Sequence, residues 1–241
     1  MEFGELLYKG KAKSIYKSEK DDELISCFRD DMTAFNGEKK DQFQGKGAYN
    51  ASVSAFFFDY LEKNGVKTHF VKMLDERTMV VKKLQMIPLE VIARNVASGS
   101  IAKKLPFVEG QVLDPPVIVT DYKDDKMGDP SVNDDLILAL DLLTPEELRE
   151  LKEITLKINR LLYDFFDGLG LIFVDFKIEF GRYKNEIILG DEISMDSMRL
   201  WDRETKESFD KDVYRYNKGN VMSAYGKVVD KIEGWKKEHL K

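Results

Sequence analysis

Residues 171–180 read Leu-Ile-Phe-Val-Asp-Phe-Lys-Ile-Glu-Phe. As a strand, their period of two puts Asp175, Lys177 and Glu179 on one face and Val174, Phe176, Ile178 and Phe180 on the other. Successive charges on the first face lie about 6.6 Å apart along the strand. That spacing suits a carboxylate, an ammonium and a second carboxylate facing a charged ligand and its metal. An exposed antiparallel strand of alternating polarity has the same pattern, but the next strand runs into Gly190-Asp191-Glu192 and adds two acids at the hairpin's end. A three-residue turn would set Asp191 opposite Glu179, whereas a strict two-residue turn would set it opposite Ile178. In the first register Glu179 and Asp191 form an oxygen pair fit for Mg²⁺, which keeps several waters and bridges to substrate phosphates. Mg²⁺ in turn implies a nucleotide.

Two further segments carry charge suited to anions. Gly10-Lys11-Ala12-Lys13-Ser14 puts two lysines on one strand face, after a glycine that lets a ligand approach the backbone. Aligned ammonium groups suit a polyphosphate, although lysines on an edge strand also serve solubility alone. Arg94 emerges from the apolar run 87–93 into the small-residue turn Ala97-Ser98-Gly99-Ser100, which exposes backbone N–H groups at the start of a short helix. A guanidinium beside such a turn can take a phosphate or carboxylate; a structural salt bridge and an ordinary cap are the plainer alternative. Asp196, Arg199 and Asp202 in SMDSMRLWD are open to the same two readings. There is no G-x-x-x-x-G-K-[ST] loop and no G-x-G-x-x-G, and Gly45-Lys46-Gly47 lacks the other members of either motif. An H-R-D catalytic loop is absent too, which argues against a protein kinase.

The elements that must position these residues divide into two parts. Short strands are expected over residues 5–9, 12–17, 23–28, 68–74 and 78–84, with one helix over 47–63 that covers the sheet and stops at Asn64-Gly65. Beyond Pro88 the helices lengthen, so a lobe boundary falls near Leu84: residues 1–84 form an antiparallel β lobe with one covering helix, and 85–241 an α+β lobe. Thr144-Pro145-Glu146-Glu147 has the form of an N-cap, a first-position proline and a capping-box acid. The helix it opens carries the apolar stripe Leu148, Leu151, Ile154, Ile158, Leu161, Leu162 and Phe165 and ends at Gly168 or Gly170. Residues 186–189 return as a strand, and 221–240 form a surface helix with Trp235 turned inward. The segment YKDDKMGDPSVND (122–134) is the most loop-like stretch.

Composition bounds the possibilities. The 241 residues carry 38 Lys+Arg against 44 Asp+Glu, a net charge of −6, with 43% hydrophobic content, which excludes disorder as the dominant state. A chain this long buries roughly 70–75% of its unfolded surface, enough for two lobes around a cleft. The acidic balance argues against a nucleic-acid partner, and no apolar run approaches the ~20 residues of a membrane span. One cysteine, Cys27, and two histidines, His69 and His239, cannot build a Cys/His zinc site, so any metal is oxygen-held. Without a signal-like start, the expected place of work is the cytoplasm.

Five segments together, LYKGKAKSIY (7–16), FRDDMTAFNGEKK (28–40), PLEVIARNVASGS (88–100), VDFKIEFG (174–181) and LGDEISMDSMRLWD (189–202), resemble the SAICAR synthetase family of purine biosynthesis, in its order and at its spacings. The departures are mild: Ala93 and Val96-Ala97-Ser98 vary within the arginine motif, and Met195 stands where the family often has Pro. The resemblance implies a two-lobed α+β fold with an ATP-grasp or kinase-like cleft. It implies an ATP-dependent ligase joining carboxyaminoimidazole ribonucleotide (CAIR) to L-aspartate, with Mg²⁺, and a homodimer. It also implies roles. Lys11, Ala12 and Lys13, and Lys123 from the 122–134 loop, would hold ATP phosphates, while Lys82, Leu84 and Met86 flank the adenine. Glu179 and Asp191 would bind Mg²⁺. Arg94, Ser100, Lys177, Arg199 and Arg215 would hold the ribonucleotide, with Asp175 and Asp196 nearby, and Lys177, Asp175 and Arg94 would sit closest to the chemistry. The 30–40 loop would close over the reactants. The rival readings are a small-molecule kinase, which would need no amine, and another carboxylate–amine ligase of the same fold.

Overall fold

Glycine-capped helices, short alternating strands and one long amphipathic helix dictate a mixed architecture, and the computed structural model, which describes residues 4–239 (Asn36 by its backbone alone), has one. Strands β1 (Leu6–Lys9), β2 (Lys13–Lys17), β3 (Glu23–Phe28), β4 (Asp31–Ala34) and β5 (Lys39–Gln42) precede helix α1 (Lys46–Lys63) and strands β6 (Phe70–Met73) and β7 (Thr78–Lys82). An antiparallel sheet in the order β1-β2-β3-β7-β6 results, with α1 packed on β3 and β6. Gly65, at φ 73°, turns the chain out of α1 where a side chain would be strained.

A second sheet begins three residues after the first ends. It uses β8 (Gln85–Val96), β9 (Val112–Tyr122), β10 (Ser131–Val132), β11 (Leu171–Tyr183), β12 (Glu186–Gly190) and β13 (Met198–Asp202). The order is β10-β9-β8-β11-β12, with β13 also paired to β11. The thirteen residues of β11 thus have two outer neighbours in succession, β13 along residues 171–176 and β12 along 179–183. The helices are α2 (Ser100–Lys104), α3 (Asp134–Ala139), α4 (Pro145–Gly168), α5 (Asp212–Arg215) and α6 (Val221–His239).

Helix α4 starts as its sequence dictates. Thr144 Oγ1 accepts from the Glu147 N–H at 3.2 Å, and the Glu147 carboxylate accepts from the Thr144 N–H at 2.8 Å, a reciprocal cap worth about 1 kcal/mol. Its buried stripe meets α1: Phe57 lies 5.2 Å from both Phe165 and Phe166, ring centre to ring centre, and Trp235 of α6 closes on Phe165 at 5.1 Å. One continuous apolar core therefore runs under both sheets, from Phe28 and Met79 to Phe173 and Leu200.

Two segments are more ordered than their sequences foretell. Residues 30–40, expected as a loop, belong largely to the β4–β5 hairpin, closed by a 3-10 turn at Phe35–Gly37. Its first strand, DMTA, alternates over only four residues, with Met32 and Ala34 buried, and its second, KKDQ, has no apolar residue, so the periodicity is too short to announce them. The hairpin is fastened to α5: Lys39 donates to the Tyr214 carbonyl at 2.6 Å and to Asn217 Oδ1 at 2.7 Å, and Tyr214 Oη donates to Asp41 at 2.8 Å. Residues 122–134 likewise form a tight return from β9 to β10, organised by Asp124 Oδ1, which accepts from the N–H groups of Lys126 and Met127.

Candidate active site

The long strand β11 places the charged face. Asp175 is the cross-strand partner of Arg94 on β8 and of Arg199 on β13, so both guanidiniums reach it from flanking strands, at 2.6 and 2.7 Å. Arg94 also donates to Ser100 Oγ at 3.1 Å and to the Ser98 carbonyl at 3.3 Å, which fixes the turn before α2. Gly99 is needed there: at φ 65°, its hypothetical Cβ would stand 2.6 Å from an Arg199 nitrogen. Arg199 is held on its other side by Asp212 at 2.9 Å, and Asp212 binds Arg215 at 2.6 Å. Burial pushes the Asp175 carboxyl up, and Arg199 and Arg94 pull against it.

Farther along the same face, Lys177 pairs with Glu90 and lies 3.7 Å from Glu179. Lys123 donates to Glu179, Lys13 to Asp191, and Lys11 to Asp125 at 2.7 Å. The β11–β12 turn has two residues, Lys184 and Asn185, both with positive φ, as a tight hairpin requires. The ladder therefore pairs Glu179 with Gly190, and the register that would set Asp191 directly opposite Glu179 does not occur. Asp191 instead leaves the strand in a left-handed conformation, φ 58°. Even so the two carboxylates interact: burial, then the negative charge of Asp191, raises the Glu179 carboxyl. Asp191 goes the other way, its buried carboxyl drawn well below the usual range by Lys13, Lys123 and Lys177. Burial opposes the Lys13 ammonium too, yet Asp191 and Glu192 hold it above the ordinary lysine value.

These groups line one cleft of about 470 Å³. Lys11, Ala12 and Lys13 form part of its wall, with Lys123, Glu179 and Asp191 in the same region of charge; Arg94, Asp175, Lys177 and Arg199 continue it; Asp196 and Arg215 lie there as well. Thr33, Ala34 and Phe35 bring the β4–β5 hairpin over it. Four expected site residues stand outside this lining. Ser100 is exposed behind Arg94, and Lys82 turns its ammonium to the Thr68 carbonyl at 2.7 Å. Leu84 and Met86 pack where Gly181 and Gly190 have no Cβ, the Leu84 Cδ1 falling 3.0 Å from each missing atom. They form an apolar shelf directly before Asp191.

Hard oxygen donors are what Mg²⁺ takes, and one or two carboxylates suffice when phosphates supply further ligands. Glu179 and Asp191 fit that demand. Among the described residues no group of three or more His, Cys, Asp or Glu side chains could hold a metal alone. Three lysines already gathered on this carboxylate pair show a site built to balance strong charge.

The model of the SAICAR synthetase family matches residues 6–232. The chain belongs to the SAICAR synthetase family. It is 62% identical over 227 residues to the phosphoribosylaminoimidazole-succinocarboxamide synthase of Methanoregula boonei, covering 94% of this chain and 89% of that one. The counterpart in Methanoculleus marisnigri is 58% identical, with 95% of each chain covered. A SAICAR synthetase solved in complex with ADP superposes with a TM-score of 0.92 at 46% identity, over 94% of this chain and 97% of that one. The Ehrlichia chaffeensis synthase gives 0.93 at 41%, over 95% and 98%. The mixed α+β fold of the SAICAR synthetases is thereby established for this chain.

Within this SAICAR synthetase cleft, several residues escape a reading of the sequence. Glu90, which binds Lys177, shares the β8 face with Arg94 at a period of two and was legible on that ground. Asp212, three residues before the expected Arg215 on α5, carries a helix pairing signal. Glu192, the second acid of the Gly190-Asp191-Glu192 run, lines the cleft as well, and so does Lys211, which nothing in its local sequence marks. Lys46 is the least expected: a lysine at the start of α1 with no exposure at all.

Proposed function

We propose that this chain is an ATP-dependent ligase of purine biosynthesis that joins CAIR to L-aspartate and releases SAICAR, ADP and phosphate. One observation supports the site assignment above the rest: a single cleft is lined both by lysines paired with a carboxylate couple and by two arginines sharing Asp175. The first cluster matches a metal–polyphosphate, the second an anionic ribonucleotide, and a ligase that activates a carboxylate with ATP needs the two side by side.

A carboxylate is a poor acyl donor. Transfer of the γ-phosphoryl group to the CAIR carboxylate gives ADP and an acyl phosphate; the aspartate amine then attacks the carbonyl carbon, phosphate leaves, and the nitrogen loses a proton. Lys11, Lys13 and Lys123 hold the phosphates of ATP and must exchange their carboxylate partners for phosphoryl oxygens. Leu84 and Met86 offer the adenine an apolar shelf, with Lys82 at its edge. Mg²⁺, when bound by Glu179 and Asp191, supplies charge neutralisation at the polyphosphate. Arg94, Arg199 and Ser100 take the phosphate and carboxylate of CAIR, helped by Arg215, while Asp175 fixes the two arginines. Lys177, between Glu90 and Glu179, stands where the two clusters meet and stabilises charge on the transferred group. The β4–β5 hairpin covers the reactants.

In this reading the first 84 residues form the nucleotide-phosphate lobe and residues 85–241 the ribonucleotide and metal lobe. The enzyme works in the cytoplasm as a homodimer, which light scattering tests. No helix among the described residues is long and apolar enough to cross a membrane. The decisive experiment measures ADP release with Mg²⁺, ATP, CAIR and L-aspartate, omitting each in turn. Product formation only with all four is expected; undiminished ADP release without aspartate would point instead to a small-molecule kinase or to uncoupled hydrolysis of the acyl phosphate.

A further inference from the structure

Behind the cleft wall, polar groups from three separate stretches of chain converge. Lys46 of α1 is fully buried, and its ammonium lies 2.7 Å from Asp196 Oδ2. Tyr225 of α6, also fully buried, donates its hydroxyl to Oδ1 of the same carboxylate at 2.5 Å. Ser194 Oγ accepts from the Asp196 N–H at 3.2 Å, so the backbone is fixed as well. Asp196 itself lines the cleft, whereas neither Lys46 nor Tyr225 does.

Stability alone is a poor account of this cluster. A buried ammonium is unfavourable unless paired, and apolar side chains of similar volume usually serve a core as well or better. What the cluster does achieve is orientation. An ionised carboxylate has about four lone-pair positions; one on each oxygen is filled from behind, by donors on different helices, which stops the group from rotating and leaves the others for the cleft. Burial works against the charge on Asp196, but Lys46 and Lys211 keep its carboxyl well below the usual range.

We propose that Lys46 and Tyr225 are positioning residues for the ligase reaction, acting through Asp196, whose carboxylate they lock in one orientation toward the reactants. The proposal rests on the assignment of Asp196 to the substrate-binding wall. The test compares Asp196→Asn, Tyr225→Phe, Lys46→Met and the double variant Asp196→Asn/Tyr225→Phe in steady-state kinetics with each substrate varied. Tyr225→Phe keeps the buried ring and loses one hydrogen bond to a charged group, so kcat/KM for CAIR and aspartate should fall about 10- to 100-fold, with the KM for ATP unchanged. Lys46→Met should do the same; if it fails to fold, Tyr225→Phe decides. In the Asp196→Asn background, Tyr225→Phe should cost little more, because both act on one group. Normal kinetics for Tyr225→Phe beside an impaired Asp196→Asn, or fully additive losses, would overturn the positioning role. Normal kinetics for Asp196→Asn would instead overturn the placement of Asp196 among the substrate contacts, and the proposal with it.

Discussion

Arg94 and Arg199, on strands either side of β11, donate to the same atom, Oδ2 of Asp175. One carboxylate thus sets the spacing of two cations that would otherwise repel each other in a buried place. Asp175→Asn should release that constraint. Breaking a buried ion cluster from one side typically costs about 3–5 kcal/mol, so the urea midpoint should drop by a corresponding amount and kcat/KM for CAIR should fall at saturating ATP. A variant with wild-type stability would deny Asp175 the bridging role.

Gly99 gives a second prediction, from backbone geometry. Gly99→Ala combines strain at φ 65°, of order 1–3 kcal/mol, with a methyl group driven against Arg199. We expect KM for CAIR to rise and KM for ATP to stay, since the proposed function assigns the disturbed guanidinium to the ribonucleotide. Equal losses for both substrates would mean that the change spreads through the fold.

For the carboxylate couple, Glu179→Gln and Asp191→Asn should each raise the Mg²⁺ concentration needed for half-maximal rate. Asp191→Asn should also leave Lys13 with Glu192, at 3.7 Å, as its remaining partner. Thermal melting in the absence of nucleotide separates this from misfolding, and an unaltered Mg²⁺ dependence in both variants would end the metal assignment.

His69 makes a contribution of definite sign to the pH dependence of stability. Burial, and the nearby charge of Lys13, push its imidazole from 6.5 down to about 3. The folded chain therefore binds this proton less readily than the unfolded one, and the contribution to stability is complete above pH 6.5 and lost as pH falls from 6.5 toward 3, by at most about 1.4 kcal/mol per pH unit. Asp210, raised to about 7 by burial and by Asp212, slopes the opposite way between its ordinary value of 3.8 and 7. The two partly cancel in the wild type. His69→Phe removes only the first, so its urea midpoint, relative to wild type, should rise as pH is lowered from 7 to 5. A constant difference over that range would place the histidine's titration elsewhere.

Tyr214 tests the hairpin. Tyr214→Phe deletes the bond to Asp41, worth about 1 kcal/mol, and should speed amide exchange in residues 31–42 more than in α4 or β11. Uniform protection would show that Lys39 alone suffices to hold the strap.

Much of this arrangement was legible in the chain. The face of Asp175, Lys177 and Glu179 followed from a period of two, and the start of α4 from a four-residue cap, because both signals are local. The β4–β5 hairpin escaped because its alternation is confined to Met32 and Ala34 and the rest of its hold comes from tertiary ties to α5. The two possible turn lengths at Lys184-Asn185 could be named but not chosen between, and the approach of Asp191 to Glu179 came from a left-handed residue that no spacing rule contains. Lys46 was invisible for the same kind of reason: its partner, Asp196, lies 150 residues away in the chain. Met195, which stands where the family often has Pro, is buried in the core.

The aromatic contact of Phe57 with Phe165 and Phe166 has a bearing on how the enzyme admits its reactants. A core shared by α1 and α4 leaves no seam along which the two sheets can part without tearing apolar surface from its neighbours. Any opening of the cleft is then expected of the light edge pieces, the β4–β5 hairpin and the turn bearing Lys123, and not of the body. The same continuity means that neither half should survive as a free-standing fragment, so a cut near residue 84 would yield two pieces that fold only in each other's company.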